Sequence, residues 1–195
     1  MDSAQAFHYK NTLLRCPSQP LQKAVFLLWW FPGPVEQGWY LKYINGGREN
    51  FIAICFHDDQ VKLFCASDLR SIRIDLNSNF PSEWNMVEVV WSCYNQITQR
   101  ALPLIQVFLA KETVEMFTFM YAKVFQTLRS EHDINVQWKH LHQTGLVGIT
   151  IDQDYKNLMG FGHYLSSFVD QQHRDWTWQV KRCVRFCSVQ FQQRA

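Results

Sequence analysis

Two carboxylates stand out by where they fall. Asp75 closes the β-branched stretch SIRID, and Asp152, far along the chain, closes GITID. An acid at each of two strand ends is the raw material of a divalent-cation site. Hard carboxylate oxygens suit Mg²⁺, and a pair of such ions can activate a water or a 3′-hydroxyl and stabilise the oxygen that leaves a phosphodiester. The same pattern is also the ordinary way for a strand to enter a turn, so residue type and spacing alone do not define a site. Asp154 competes with Asp152 for the ligand role, but its place just ahead of Tyr155 suits the N-cap of a helix better. A second group carries charge: no acid follows Asp175, whereas Lys181, Arg182, Arg185 and Arg194 do. A solvated basic end is the commoner meaning of such a run, and contact with nucleic-acid phosphates is the functional one.

Other constellations argue against other chemistries. His140 and His142 in WKHLHQ alternate on a strand-like segment without a Cys or acid beside them, which is a poor metal set. The six cysteines show no paired CxxC rhythm, and none reads as a helix-start nucleophile beside a His; Cys183 and Cys187 suit buried free thiols. GFGH belongs inside a helix rather than at a strand-to-helix phosphate loop, so no small-molecule substrate is indicated. Trp176 and Trp178, close to the basic residues, can stack on bases, although packing on a sheet is the commoner use of such rings.

The elements that must position these residues are legible from the middle of the chain onward. Ile72 to Leu76, Met86 to Cys93 and Leu102 to Ala110 read as three successive strands, with Pro103 near the start of the third, where a missing N–H is tolerable. Thr113 is placed to cap a helix whose Met116, Phe117, Met120, Val124, Phe125 and Leu128 recur at spacings of three and four. Leu146 to Ile151 is a fourth strand, Tyr155 to Phe168 a second helix, and Gln179 to Phe186 is expected as a last strand. Ahead of these lie four short apolar runs, Ala24 to Phe31, Trp39 to Ile44, Phe51 to Phe56 and Val61 to Ala66, too short to tell strand from helix. Up to about residue 23 the chain is polar and reads as a loosely held arm.

A three-strand meander followed by β-α-β-α predicts an α/β mixed sheet with flanking helices, the order of the ribonuclease-H-like fold. In that fold the first and fourth strands lie side by side, so Asp75 and Asp152 converge. At 195 residues one domain is expected, an incomplete ribonuclease-H-like unit over 51–195 behind an arm and accessory elements over 1–50. Nineteen basic against seventeen acidic side chains neither demand nor forbid a nucleic-acid partner. The amino terminus lacks a leader pattern and the cysteines are unpaired, pointing to an intracellular protein of the nucleus or cytoplasm. AVFLLWWF, ended by Pro32, falls far short of the roughly 20 residues that cross a bilayer.

From Phe51 to Gln193 the wording of the sequence resembles the catalytic domain of Mutator-like transposases, of the kind common in mushroom-forming fungi. Four blocks carry the likeness in order: IRIDLNSNFPSEWNMVEVV, LPLIQVFLAKETVEMFTFMYAKVF, VQWKHLHQTGLVGITIDQDYKNLMGFGHYL and VKRCVRFCSVQFQQR. The resemblance implies Mg²⁺-dependent DNA cleavage and strand transfer, with Asp75 and Asp152 as catalytic metal ligands and DNA as partner. It also places the Cys of the family's Cys-x-x-His on Cys187. Two departures stand out. Gln190 replaces the His, and the usual Thr-Phe after the first aspartate is Leu76-Asn77-Ser78-Asn79-Phe80. The chain ends at Ala195, before the helix that carries the family's third acid, so the expectation is a truncated, inactive copy. The alternative is a non-catalytic module that binds DNA or protein on the same scaffold.

Overall fold

The computed structural model describes residues 41–45, 50–65, 69–77, 86–95, 99–152 and 154–187. The polar arm, the run Ala24 to Phe31, Gln190 and Arg194 lie outside them. The strands are β1 (Leu41–Asn45), β2 (Ile52–Cys55), β3 (Ser71–Asn77), β4 (Val87–Asn95), β5 (Arg100–Leu109), β6 (Gly148–Ile151) and β7 (Val184–Phe186). They form one mixed sheet in the order β1-β2-β5-β4-β3-β6-β7. The first five pair antiparallel with one another, whereas β6 runs parallel to β3 and β7 parallel to β6. The expected meander of β3, β4 and β5 is therefore present, and so is the crossover that brings the fourth strand of that series back beside the first.

Pro103 sits where its missing N–H does least harm. Trp91 pairs with Ile105 but Ser92 pairs with Pro103, which leaves Leu104 as the extra residue of a bulge. Of the two short apolar runs between β1 and β3, Phe51 to Phe56 supplies β2, while the run that begins at Val61 is helical as far as Cys65, its last residue, Ala66, lying outside the described residues. There α1 (Asp58–Lys62) passes into a 3₁₀ turn at Leu63–Cys65. Local chemistry decides this: His57 accepts from the Asp59 N–H, and Gln60 closes a capping box back onto the His57 N–H.

The remaining helices are α2 (Val114–His132), α3 (Lys139–His142), α4 (Tyr155–Tyr164) and α5 (Trp176–Cys183). Thr113 caps α2 as expected, its hydroxyl accepting from the Met116 N–H at 3.2 Å. The apolar stripe of α2 is buried along its length, from Met116 and Phe117 to Leu128. It meets α4 closely enough that a Cβ on Gly160 would lie 2.4 Å from the Phe117 Cβ. Between these helices and the sheet lies a core of rings, in which Tyr121 and Phe161 stand 4.9 Å apart, Trp138 and Phe161 5.2 Å, and Trp91 and Phe125 5.3 Å. The buried Tyr121 hydroxyl donates to Asn157 Oδ1 at 2.7 Å, and burial pushes its pKa well up, so it remains a neutral donor.

Two segments differ from expectation. Gln179 to Phe186 is a strand only over Val184–Phe186; the residues before it complete α5. Asp175 drives the change by accepting from the Thr177 N–H at 2.9 Å, an N-cap that starts the helix ahead of Val180. WKHLHQ is likewise helical, not strand-like. The Trp138 N–H donates to His142 Nδ1 at 2.9 Å, and His140 Nε2 lies 2.9 Å from Gln179 Oε1, so both imidazoles serve the turn and its neighbour.

Candidate functional site

The register of β3 and β6 decides where the two acids stand. Ser71 pairs with Gly148, and the series runs through Ile72 with Ile149 and Arg73 with Thr150 to Ile74 with Ile151. Asp75 is the next residue of β3 and Asp152 the first residue after β6, so they share one level at the end of neighbouring parallel strands, which lie about 4.8 Å apart. Ile74 and Ile151 are fully buried in the cluster formed with α2 and α4. Side chains alternate along a strand, and Asp75 and Asp152 therefore belong to the opposite face. On β7, Phe186 pairs with Ile151 and the Cys187 N–H donates to the Ile151 carbonyl at 3.1 Å, which brings Cys187 to the same level as the acids.

Asp154 does what its position suggests. Its Oδ1 accepts from the N–H groups of Lys156 at 2.7 Å and Asn157 at 3.0 Å, capping α4. Asp152 is left as the acid whose charge acts on Arg73 of β3, and its Oδ1 is a buried oxygen without a hydrogen-bond partner among the described residues. Asp75 is differently placed. Arg73, two residues back on the same face, brings Nε to 2.8 Å from both Asp75 oxygens. That hydrogen bond is the main cause that raises Arg73 above its ordinary pKa; desolvation opposes it, and the charges of Asp75, Cys187 and Asp152 add to the rise.

Two residues escaped the reading of the sequence. Arg73 is one, and the signal was its spacing, since residues i and i+2 share a face of a strand. Glu88 is the other. It pairs with Asn77 across β3 and β4, diagonal to Asp75, is buried, and accepts from Asn77 Nδ2 at 2.9 Å. Burial raises its pKa above the usual glutamate value, with the Asn77 hydrogen bond pulling the other way. Nothing in a single sequence marks Glu88 as different from any acid at the start of a strand.

The donor chemistry at this level fits one hard cation: Asp152 offers a bare oxygen, and Asp75 offers two once Arg73 releases them. No group of three His, Cys, Asp or Glu side chains that could hold a metal occurs among the described residues.

The three basic residues separate. Arg185 pairs with Thr150, which pairs with Arg73, so it joins the row directly before the acids. Lys181 and Arg182 lie instead on the last turn of α5 and are exposed. Arg182 is already engaged: its guanidinium carbon stands 3.8 Å from the Trp178 ring centre, and Nη1 donates to the Trp178 carbonyl at 3.1 Å. His173 stacks on the same indole at 3.9 Å, so Trp178 is committed to its own neighbours. The thiols behave as expected for structural cysteines. Cys55 and Cys183 are pushed up to about 12 by burial, which removes them as nucleophiles at neutral pH.

No protein-family model, curated protein or solved structure matches the chain. No helix among the described residues is long and apolar enough to cross a membrane.

Proposed function

We propose that this chain is a ribonuclease-H-like domain of Mutator-like transposase ancestry which, against the expectation of an inactive copy, keeps the paired acids with which it would act on DNA inside the cell. Supporting the fold reading are the meander of β3, β4 and β5 and the parallel additions of β6 and then β7 beside β3. One observation carries the functional reading: Asp75 and Asp152 follow the last register pair of adjacent parallel strands, on the face turned away from α2 and α4. These two residues would hold Mg²⁺, which when bound would supply the charge that activates a water and stabilises a leaving oxygen. The chain's own groups do the rest. Asp152 keeps an uncommitted oxygen, Arg73 balances the charge of the pair, and Arg185 adds a cation in the row before it, where a phosphate would be drawn.

A second reading, a domain that binds DNA without cutting it, is favoured by Arg73, whose guanidinium already occupies both oxygens of Asp75. A nicking assay on supercoiled plasmid separates the two. The first reading expects nicked product with Mg²⁺, none in EDTA, and none from Asp75→Asn. Retention of DNA in EDTA that weakens steeply with salt, without nicking, selects the second. A protein that neither nicks nor retains DNA sinks both.

A further inference from the structure

A different surface, on the helical side of the sheet, carries a groove of its own. A half-open groove of about 570 Å³ runs between α2, the segment that follows it, and the turn Leu165–Val169. Its floor is the end of a staircase of rings. Phe125 and Tyr164 stack at 5.1 Å with their planes 19° apart, and Tyr164 and Phe168 repeat the arrangement at 6.0 Å and 20°. Phe125 and Tyr164 are buried, but Phe168, the outermost ring, is 62% exposed. The stack thus ends in an aromatic ring open to solvent, which water solvates poorly and another flat π-system would cover.

The walls are basic. Lys123, Arg129 and His142 line the groove and none of its lining residues is acidic. The Arg129 side chain has no ion-pair or hydrogen-bond partner among the described residues. Lys123 is held near the groove by its bond to Gln126 Oε1 at 2.8 Å. His142 accepts the Trp138 N–H at Nδ1, so Nε2 is the ring nitrogen left to donate.

The geometry points to a binding site for single-stranded nucleic acid in this groove, with a base stacked on Phe168 and the flanking phosphates drawn to Arg129 and Lys123. Stacking plus backbone charge is the combination that binds a strand without reading its sequence. A duplex cannot use it, because its bases are already stacked on one another and their faces are closed. The site lies apart from Asp75 and Asp152 and stands whether or not they bind a cation.

The test is fluorescence anisotropy of labelled oligo(dT) with the full chain in EDTA, which silences any cation at the carboxylate pair. Phe168→Ala should weaken binding roughly tenfold or more, the loss expected for one stacked base. Arg129→Glu should weaken it further and flatten the dependence on salt. Both residues are exposed, and circular dichroism checks that the variants are folded. Unlabelled oligo(dT) should displace the probe far better than the matching duplex or than free nucleotide. Four results would overturn the site: no binding by the wild type, binding by both variants at wild-type strength, equal competition by duplex or by free nucleotide, or loss of binding with Lys181→Glu and Arg182→Glu but not with the groove variants. Nicking of plasmid in Mg²⁺ is scored separately, so the fate of the carboxylate pair and that of the groove are read independently.

Discussion

Alternate residues of β3 and β6 do opposite work. Ile72, Ile74, Ile149 and Ile151 join one apolar cluster with α2 and α4, whereas Arg73, Asp75, Thr150 and Asp152, interleaved with them, stay partly open. The first face is specified by shape, and its energy is spread over many contacts. The second is specified by charge, and it tolerates features that cost stability: an unpartnered oxygen on Asp152 and a buried acid at Glu88. Two strands thus carry a scaffold on one side and a reactive surface on the other, and the two can be perturbed separately.

The largest effect is expected where the scaffold is tightest. At Gly160 the first added carbon already meets the Phe117 Cβ at 2.4 Å, and the amide nitrogen of Thr118 and the carbonyl of Val114 lie 3.0 Å from it. Gly160→Val therefore forces α2 and α4 apart and should cost ~3 kcal/mol or more, a loss of the kind overpacked cores show. Chemical denaturation would read it as a large fall in midpoint. A midpoint within experimental error of the wild type would mean that the helices do not meet as described, and the contrast between the faces would lose its rigid side.

How much of this was legible in the sequence depends on how far each feature is set by neighbours along the chain. The strands β3 to β6, the helix capped by Thr113 and the cap at Asp154 follow from local periodicity and turn chemistry, and they stand where expected. The adjacency of Asp75 and Asp152 came from element order, since a crossover returns the fourth strand of the series beside the first. What was missed depends on contacts made in space. The run Gln179 to Phe186 reads as one longer strand, but Asp175 caps a helix there and Gln179 is buried with its amide donating to Asp170 Oδ2 at 3.0 Å. Arg73 clasping Asp75 and the burial of Glu88 likewise depend on which strand lies alongside, something no local window contains.

A middle-sized effect sharpens the contrast within one dipeptide. Ile74 is fully buried and Asp75 is the next residue, on the other face. Ile74→Ala removes buried methyl groups and leaves a cavity beneath the helices, a loss of about 2–4 kcal/mol. Asp75→Asn breaks an ion pair whose side chains are 49% and 34% exposed, and such pairs contribute less than about 1 kcal/mol. Urea melts of the two variants should therefore differ clearly, with only the first destabilised. Equal losses would mean that Asp75 is part of the scaffold.

The smallest effect tests whether the open face holds its groups at a cost. Burial raises the Glu88 pKa above the ordinary value of 4.5, so the folded state keeps the proton to higher pH than the unfolded one. The stability this contributes is fully present below pH 4.5 and is lost as pH rises through the folded pKa, because unfolding then releases a carboxylate that water solvates better. Once ionised, the side chain is consequently a burden on the fold. Glu88→Gln keeps the volume and an oxygen to accept from Asn77 Nδ2, but never ionises. It should melt somewhat higher than the wild type at pH 7, and the gap should close as pH is lowered past 4.5. A variant that melts lower at pH 7 would show that the charged form of the Asn77 hydrogen bond outweighs burial. Glu88 would then belong with the stabilising half of the sheet, and the division between the faces would run along β3 rather than through it.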